Sequence, residues 1–195
     1  MIKFALHYTK IKAVCFTNRN KKMNLSEYSI SIKQVSKNIT DNLDTYVKLP
    51  AVITGAALVV QRFSEGFDVN GNKIGDYSTK KLYASKDMFE GHDSYFKPEK
   101  GRKTMTFEDG YAGLRRYVKL QANTVDLVYS TSLAKSVQGV LYGKDAAIAI
   151  LGKDSVDKSI GNEKRFNKTI FDVSESEIDA MNQVIDNAIS DLWNF

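Results

Sequence analysis

Two histidines, His7 and His92, are the only side chains in this sequence whose unperturbed pKa lies close to neutrality. Neither belongs to a recognisable Ser–His or Cys–His arrangement, so no nucleophile–base pair is legible. The single cysteine, Cys15, excludes an internal disulfide and any multi-cysteine zinc site, and fits a reducing compartment. Two other groups invite a chemical reading. Carboxylates fall close together at Asp68/Asp76 and Glu108/Asp109, the residue types of general acid–base hydrolysis, though neighbouring acids are also common in turns and helix caps. Asp68-Val69-Asn70-Gly71-Asn72-Lys73 has the oxygen-rich look of a calcium loop. Its sixth and twelfth positions are Lys73 and Thr79 where an EF-hand needs Gly and Glu, so a plain turn is the better reading. No phosphate-binding Gly-Lys-Ser/Thr loop and no dinucleotide fingerprint is present. The expectation is a protein without catalytic residues, metal or cofactor.

The elements that must position these residues are clearer than the chemistry. The 195 residues suffice for one full core, with 43% hydrophobic and 26% charged residues, the balance of a globular chain. Residues 1–22 carry six lysines and arginines and no acid. They read as a basic arm outside the fold or as an upstream extension, leaving a single domain over 23–195. No uninterrupted apolar run in the sequence is long enough to span a bilayer, and no membrane partner is expected.

Within the domain, Ile32, Val35, Ile39, Leu43 and Tyr46/Val47 recur at helical spacing and predict an amphipathic helix over 31–48, with Ser31 as N-cap. Pro50 suits the first turn of a second helix over about 50–63. Residues 64–107 read as a long extended loop, in which Tyr83, Phe89, Tyr95 and Phe96 are interleaved with Lys97, Lys100, Arg102 and Lys103. Aromatics among cations stack bases and hold phosphates, or fasten a loop onto a neighbouring surface. A helix over 108–121 carries Arg115 and Arg116, which suit an anion or an intersubunit salt bridge. Apolar-rich runs follow at 125–129, 136–142 and 146–151, the last two joined by a turn at Tyr142-Gly143-Lys144-Asp145. Ser174 and Glu177 form a capping box for a final helix with an apolar stripe at Ile178, Met181, Ile185, Ala188/Ile189 and Leu192. Trp193 and Phe195 at its end dock on the chain's own core or on a partner. Net charge is +5, yet Lys168 is the last cation and six acids follow it, an asymmetry able to steer like copies head to tail.

One resemblance sharpens this outline. Ser130-Thr131-Ser132-Leu133-Ala134-Lys135-Ser136-Val137, then Arg165-Phe166, then Phe171-Asp172-Val173-Ser174, follow the order of short motifs in the tail-completion, or virion-morphogenesis, family of tailed phages. That family carries a Thr-Gly-x-Leu-x-x-Ser-Ile/Val signature before a strand, an Arg/Phe-containing turn, and a Ser/Asp-capped last helix. Its members also have an N-terminal helix and a Lys-rich loop opening at an Asp/Asn-Gly turn, as at 68–81. The family's Gly falls on Thr131 here. The resemblance implies an α+β fold, a small twisted antiparallel sheet packed by N-terminal and C-terminal helices. It implies a virion structural protein without enzyme activity, assembled in the host bacterial cytoplasm. The protein would form or join a ring in the neck between portal and tail, a ring whose lumen could pass DNA. The partners expected are other copies, portal-side neck proteins and tail proteins. The candidate interface residues are Tyr83, Phe89, Tyr95, Phe96, Arg102, Arg115, Arg116, Arg165, Phe166, Trp193 and Phe195. The competing reading is a basic nucleic-acid-binding module using Lys97, Lys100, Arg102, Lys103, Arg115 and Arg116.

Overall fold

A computed structural model describes residues 25–128, 131–143 and 145–193. The proposed basic arm, with His7 and Cys15, lies outside the described residues, as does Phe195. The fold is α+β, with helices predominating and two small antiparallel sheets.

The first helix, α1 (Leu25–Asn42), runs through a π-helical turn at Leu43–Lys48 into α2 (Leu49–Ser64). The sequence predicts two helices meeting at Pro50; the structure joins them. Pro50 lacks an N–H and its ring crowds the carbonyl four residues back, so the wider π turn lets the helix continue past it. Asp44 and Lys48 pair at 2.7 Å across that turn. Ser31 is therefore interior to a helix and caps nothing. By length and composition, Ser29–Ser64 contains a window apolar enough to cross a membrane. Six residues of α2 (Ala51, Val52, Gly55, Ala56, Val59 and Phe63) are buried inside the protein.

The main core is built on α2. One side meets the hairpin of β3 (Val137–Tyr142) and β4 (Asp145–Ile150), whose register runs from Val137↔Ile150 to Tyr142↔Asp145. Gly143, with φ of 62°, closes the turn where the sequence places it. The contact between α2 and β3 is a backbone contact: a Cβ on Gly139 would lie 2.5 Å from the Ile53 nitrogen. The other side meets α6 (Glu175–Trp193) through Met181. Ser174 and Glu177 cap α6 reciprocally, as the spacing predicts, with Ser174 N–H donating to Glu177 Oε2 (2.7 Å) and Glu177 N–H to Ser174 Oγ (3.3 Å).

Residues 64–107 are not one extended loop. They contain β1 (Leu82–Ala84) paired with β2 (Met105–Phe107), and two 3-10 turns at Lys86–Phe89 and Asp93–Tyr95. These pack with α3 (Gly110–Tyr117) around a second core of Ala84, Phe89, Leu114 and Val118. The physical reason lies in the interleaving itself. Phe89, Tyr95, Phe96 and Phe107 turn towards one another, while Lys86, Lys97, Lys100 and Lys103 stay exposed. The alternation separates inside from outside.

The apolar run at 125–129 stays irregular over its described residues, where Asp126 is committed to a polar network described below. One further expectation changes. The Arg/Phe segment is the end of a helix, α5 (Lys153–Phe166), and not a turn; Asn167 closes it in the left-handed conformation. A short helix, α4 (Ser132–Ser136), leads into β3. Its N-cap, Thr131, sits at φ 62°, ψ −3°.

Candidate functional site

Among the described residues, Asp68, Glu108 and Asp109 have structural partners. Asp68 Oδ1 accepts the N–H groups of Asn70 (3.0 Å) and Asn72 (2.8 Å), and Oδ2 lies 3.6 Å from Lys168 Nζ. Lys168 also donates to the Lys73 carbonyl. The carboxylate thus organises a turn in the manner of an Asx cap. Glu108 pairs with Lys81 at 2.6 Å and raises the pKa of that lysine; Asp109 pairs with Arg116 at 2.7 Å. Each member of the Glu108/Asp109 pair has its own cation. His92 stacks edge-on with Tyr95 at 6.3 Å between ring centres. Among the described residues no group of three or more His, Cys, Asp or Glu side chains converges on a point. Two depressions among the described residues, of about 420 and 410 Å³, are wide open to solvent; Lys86, Asp87, Glu90 and Asp93 line the first, and Ser132 and Lys153 lie in the second.

The densest polar arrangement is internal. Arg115, 1% exposed, donates Nη2 to both oxygens of Asp126 (2.9 and 2.7 Å), Nη1 to the Val128 carbonyl (3.1 Å) and Nε to the Gln121 carbonyl (2.6 Å). Its guanidinium lies 4.5 Å from the centre of the Tyr77 ring. Tyr77 Oη donates to Asp126 Oδ1 (2.8 Å), and Gln121 Nε2 donates to Asp126 Oδ2 (2.6 Å). The Asp126 and Val128 N–H groups find acceptors in the same cluster. No buried side-chain nitrogen or oxygen of the described residues lacks a partner. Burial pushes the Tyr77 phenol far above its ordinary range and raises Tyr111 as well. Tyr77 borders the main core, Tyr111 borders the second, and their rings meet at 5.4 Å. The cluster is the seam between the two cores. A fully bonded ion pair in a dry setting fixes geometry and has no spare valence for a ligand.

A second clamp, which the sequence reading missed, holds α6 to α2. Arg62 donates Nε to Glu177 Oε1 (2.8 Å), Nη1 to the Ile170 carbonyl (3.0 Å) and Nη2 to the Asp172 carbonyl (2.6 Å). Glu177 therefore serves both as capping-box acid and as ion partner. The one available signal was that Arg62 is the sole cation in an otherwise apolar helix α2.

The structure scatters the candidate interface residues. Phe89 is a core residue of the second lobe and Arg115 is the hub of the seam, so both leave the surface set. Tyr95 and Phe96 are half-buried beside Phe89. Tyr83 is 63% exposed, Arg102 is exposed and pairs with Glu99, and Arg116 is exposed with Asp109. Arg165 lies over the Phe166 ring at 5.3 Å, and that ring backs onto Gly75. Trp193 ends α6, with its side chain outside the description. Apolar exposure the sequence reading did not assign appears at Ile30 and Ile32 on α1, Tyr46 in the π-helical turn, Ile53 on α2, and Leu141 and Tyr142 on β3.

No family model, no curated protein and no solved structure matches this chain.

Proposed function

We propose that this is a structural virion protein of a tailed phage, forming or joining a ring in the neck between portal and tail. The observation that carries the reading is the corner at Thr131. A β-branched residue is held at φ 62°, where glycine is the natural occupant, and this is the position at which the tail-completion signature has its Gly. The hairpin and the Ser-capped last helix follow in the order the resemblance implies. Exposed apolar side chains on α1, α2 and β3 supply the kind of surface that subunit contacts cover. Ring assembly joins unlike faces of neighbouring subunits, and the acid-rich α6 and the cationic tip of the second lobe provide unlike faces. The test is localisation. An antibody against the exposed segment 97–103 is expected to mark the head–tail junction of particles from cells carrying the gene; particles free of the protein reject the reading.

A second reading, a nucleic-acid-binding module, draws on that same tip, where Lys97, Lys100 and Lys103 are exposed. It loses Arg115 to the interior and has Arg102 and Arg116 engaged with Glu99 and Asp109. Retention of DNA or RNA that falls steeply with salt is its signature; salt-insensitive or absent retention removes it.

A further inference from the structure

Helix α6 carries a charge that its surroundings do not answer. It holds Glu175, Glu177, Asp179, Asp186 and Asp191 and no lysine or arginine. Among the described residues only Glu177 of these five is in an ion pair, with Arg62. The other four are exposed. At about 100° per residue, Glu175, Asp179 and Asp186 fall within about 40° of one another around the helix axis. They form a stripe about 16 Å long on the side away from Met181 and the core. Asp191 lies in the last turn, where the negative end of the helix favours cations and none is present.

The chain has one segment that matches this face in sign and purity. Residues 1–22 hold Lys3, Lys10, Lys12, Arg19, Lys21 and Lys22 and no acid. The cationic tip of the second lobe is a weaker match, because Glu99 lies within it and takes Arg102. Reach is sufficient. α1 begins at Leu25 and meets α6. The 24 residues before it span at most about 80 Å, against about 56 Å for α1 and α6 laid end to end. A tethered arm is also present at a far higher effective concentration than a cationic segment of any free partner.

We propose that the basic arm docks along the acidic outer face of α6 of its own chain. There it neutralises the stripe and competes for the same acids with the cationic tips of other copies. The contact follows from the charges of the two segments and does not depend on the neck assignment.

Limited trypsin digestion of the full-length chain, read by intact mass, tests it. Cleavage after Lys10, Lys12, Arg19, Lys21 and Lys22 is expected to be slow at low salt and faster at high salt, where exposed charges are screened. The rate is taken relative to cleavage after Lys100 and Lys103, which the docking leaves untouched. Glu175→Gln, Asp179→Asn and Asp186→Asn combined remove three exposed pairs and should speed arm cleavage by roughly fivefold or more at low salt. Asn182→Lys sets a cation inside the stripe with the acids in place, and should speed it in smaller measure. All four substituted side chains are exposed, so thermal unfolding of both variants should stay close to wild type. Arm cleavage at the same rate in wild type and both variants overturns the proposal. So does protection that fades on dilution, which would place the arm on a second copy. Either result leaves the neck reading standing, since localisation decides that separately.

Discussion

Arg115 and Asp126 show most clearly how a single residue decides the reading of this chain. Arg115 and Arg116 are adjacent and look alike in sequence, yet one is the hub of the seam and the other an exposed partner of Asp109. The usable signal was the other end of the pair: an acid inside the apolar run Val125-Asp126-Leu127-Val128 implies a buried cation. Arg115→Met leaves Asp126 buried and unpaired and should cost about 3–5 kcal/mol, measured by urea denaturation. Tyr77 gives the pH dependence. The unfolded phenol ionises near pH 10, whereas the folded phenol keeps its proton to higher pH because burial disfavours the anion. Above about pH 10 the unfolded state thus binds fewer protons, so stability falls as pH rises. Tyr77→Phe should flatten that alkaline limb of the stability profile. Thr131 carries the opposite kind of signal. Its side chain is exposed and its backbone left-handed, so Thr131→Gly should raise stability by about 1 kcal/mol, read as an increase in Tm.

At the scale of elements, legibility followed the strength of the local pattern. The capping box and stripe of α6, the β3–β4 hairpin and the Pro-led α2 all stand where their spacing puts them. α5 was missed because Lys153–Phe166 has few apolar residues, and one of them, Ile160, is exposed, so no stripe forms. The 64–107 lobe was misread because its elements are three or four residues long, too short for any periodicity to show. The close approach of α2 to β3 was invisible from sequence, since Gly139 reads like any strand glycine. It yields a ranked prediction. Gly139→Ala puts a methyl against α2 backbone, which cannot yield locally, and should destabilise by about 3 kcal/mol or more. Gly55→Ala meets the tips of Met181 and Ile148, which can move, and should cost less. Equal losses in thermal melts of the two variants would show the helix–hairpin contact to be looser than described.

For the whole molecule, two cores meet through a buried polar seam. That changes how assembly can be probed. Cutting the chain after Phe171 removes Val173 and Met181 from the main core and strips Arg62 of Glu177, so a failure to assemble would report unfolding. Surface substitutions separate the two effects: Ile32→Asp on α1, or Lys97, Lys100 and Lys103 changed together to Glu on the second lobe, leave both cores intact. Among the described residues the cations other than Arg115 and Arg62 lie largely on the surface, and the acid-rich tail lies on α6, which makes the charge distribution uneven. The role proposed for this surface is to join subunits and neighbours within a phage neck. Its most direct test is immunogold electron microscopy of tailed particles from cells carrying the gene, with the antibody raised against residues 97–103. Label confined to the junction of head and tail is the predicted result; intact, tailed particles without label there, from cells that demonstrably make the protein, would contradict it.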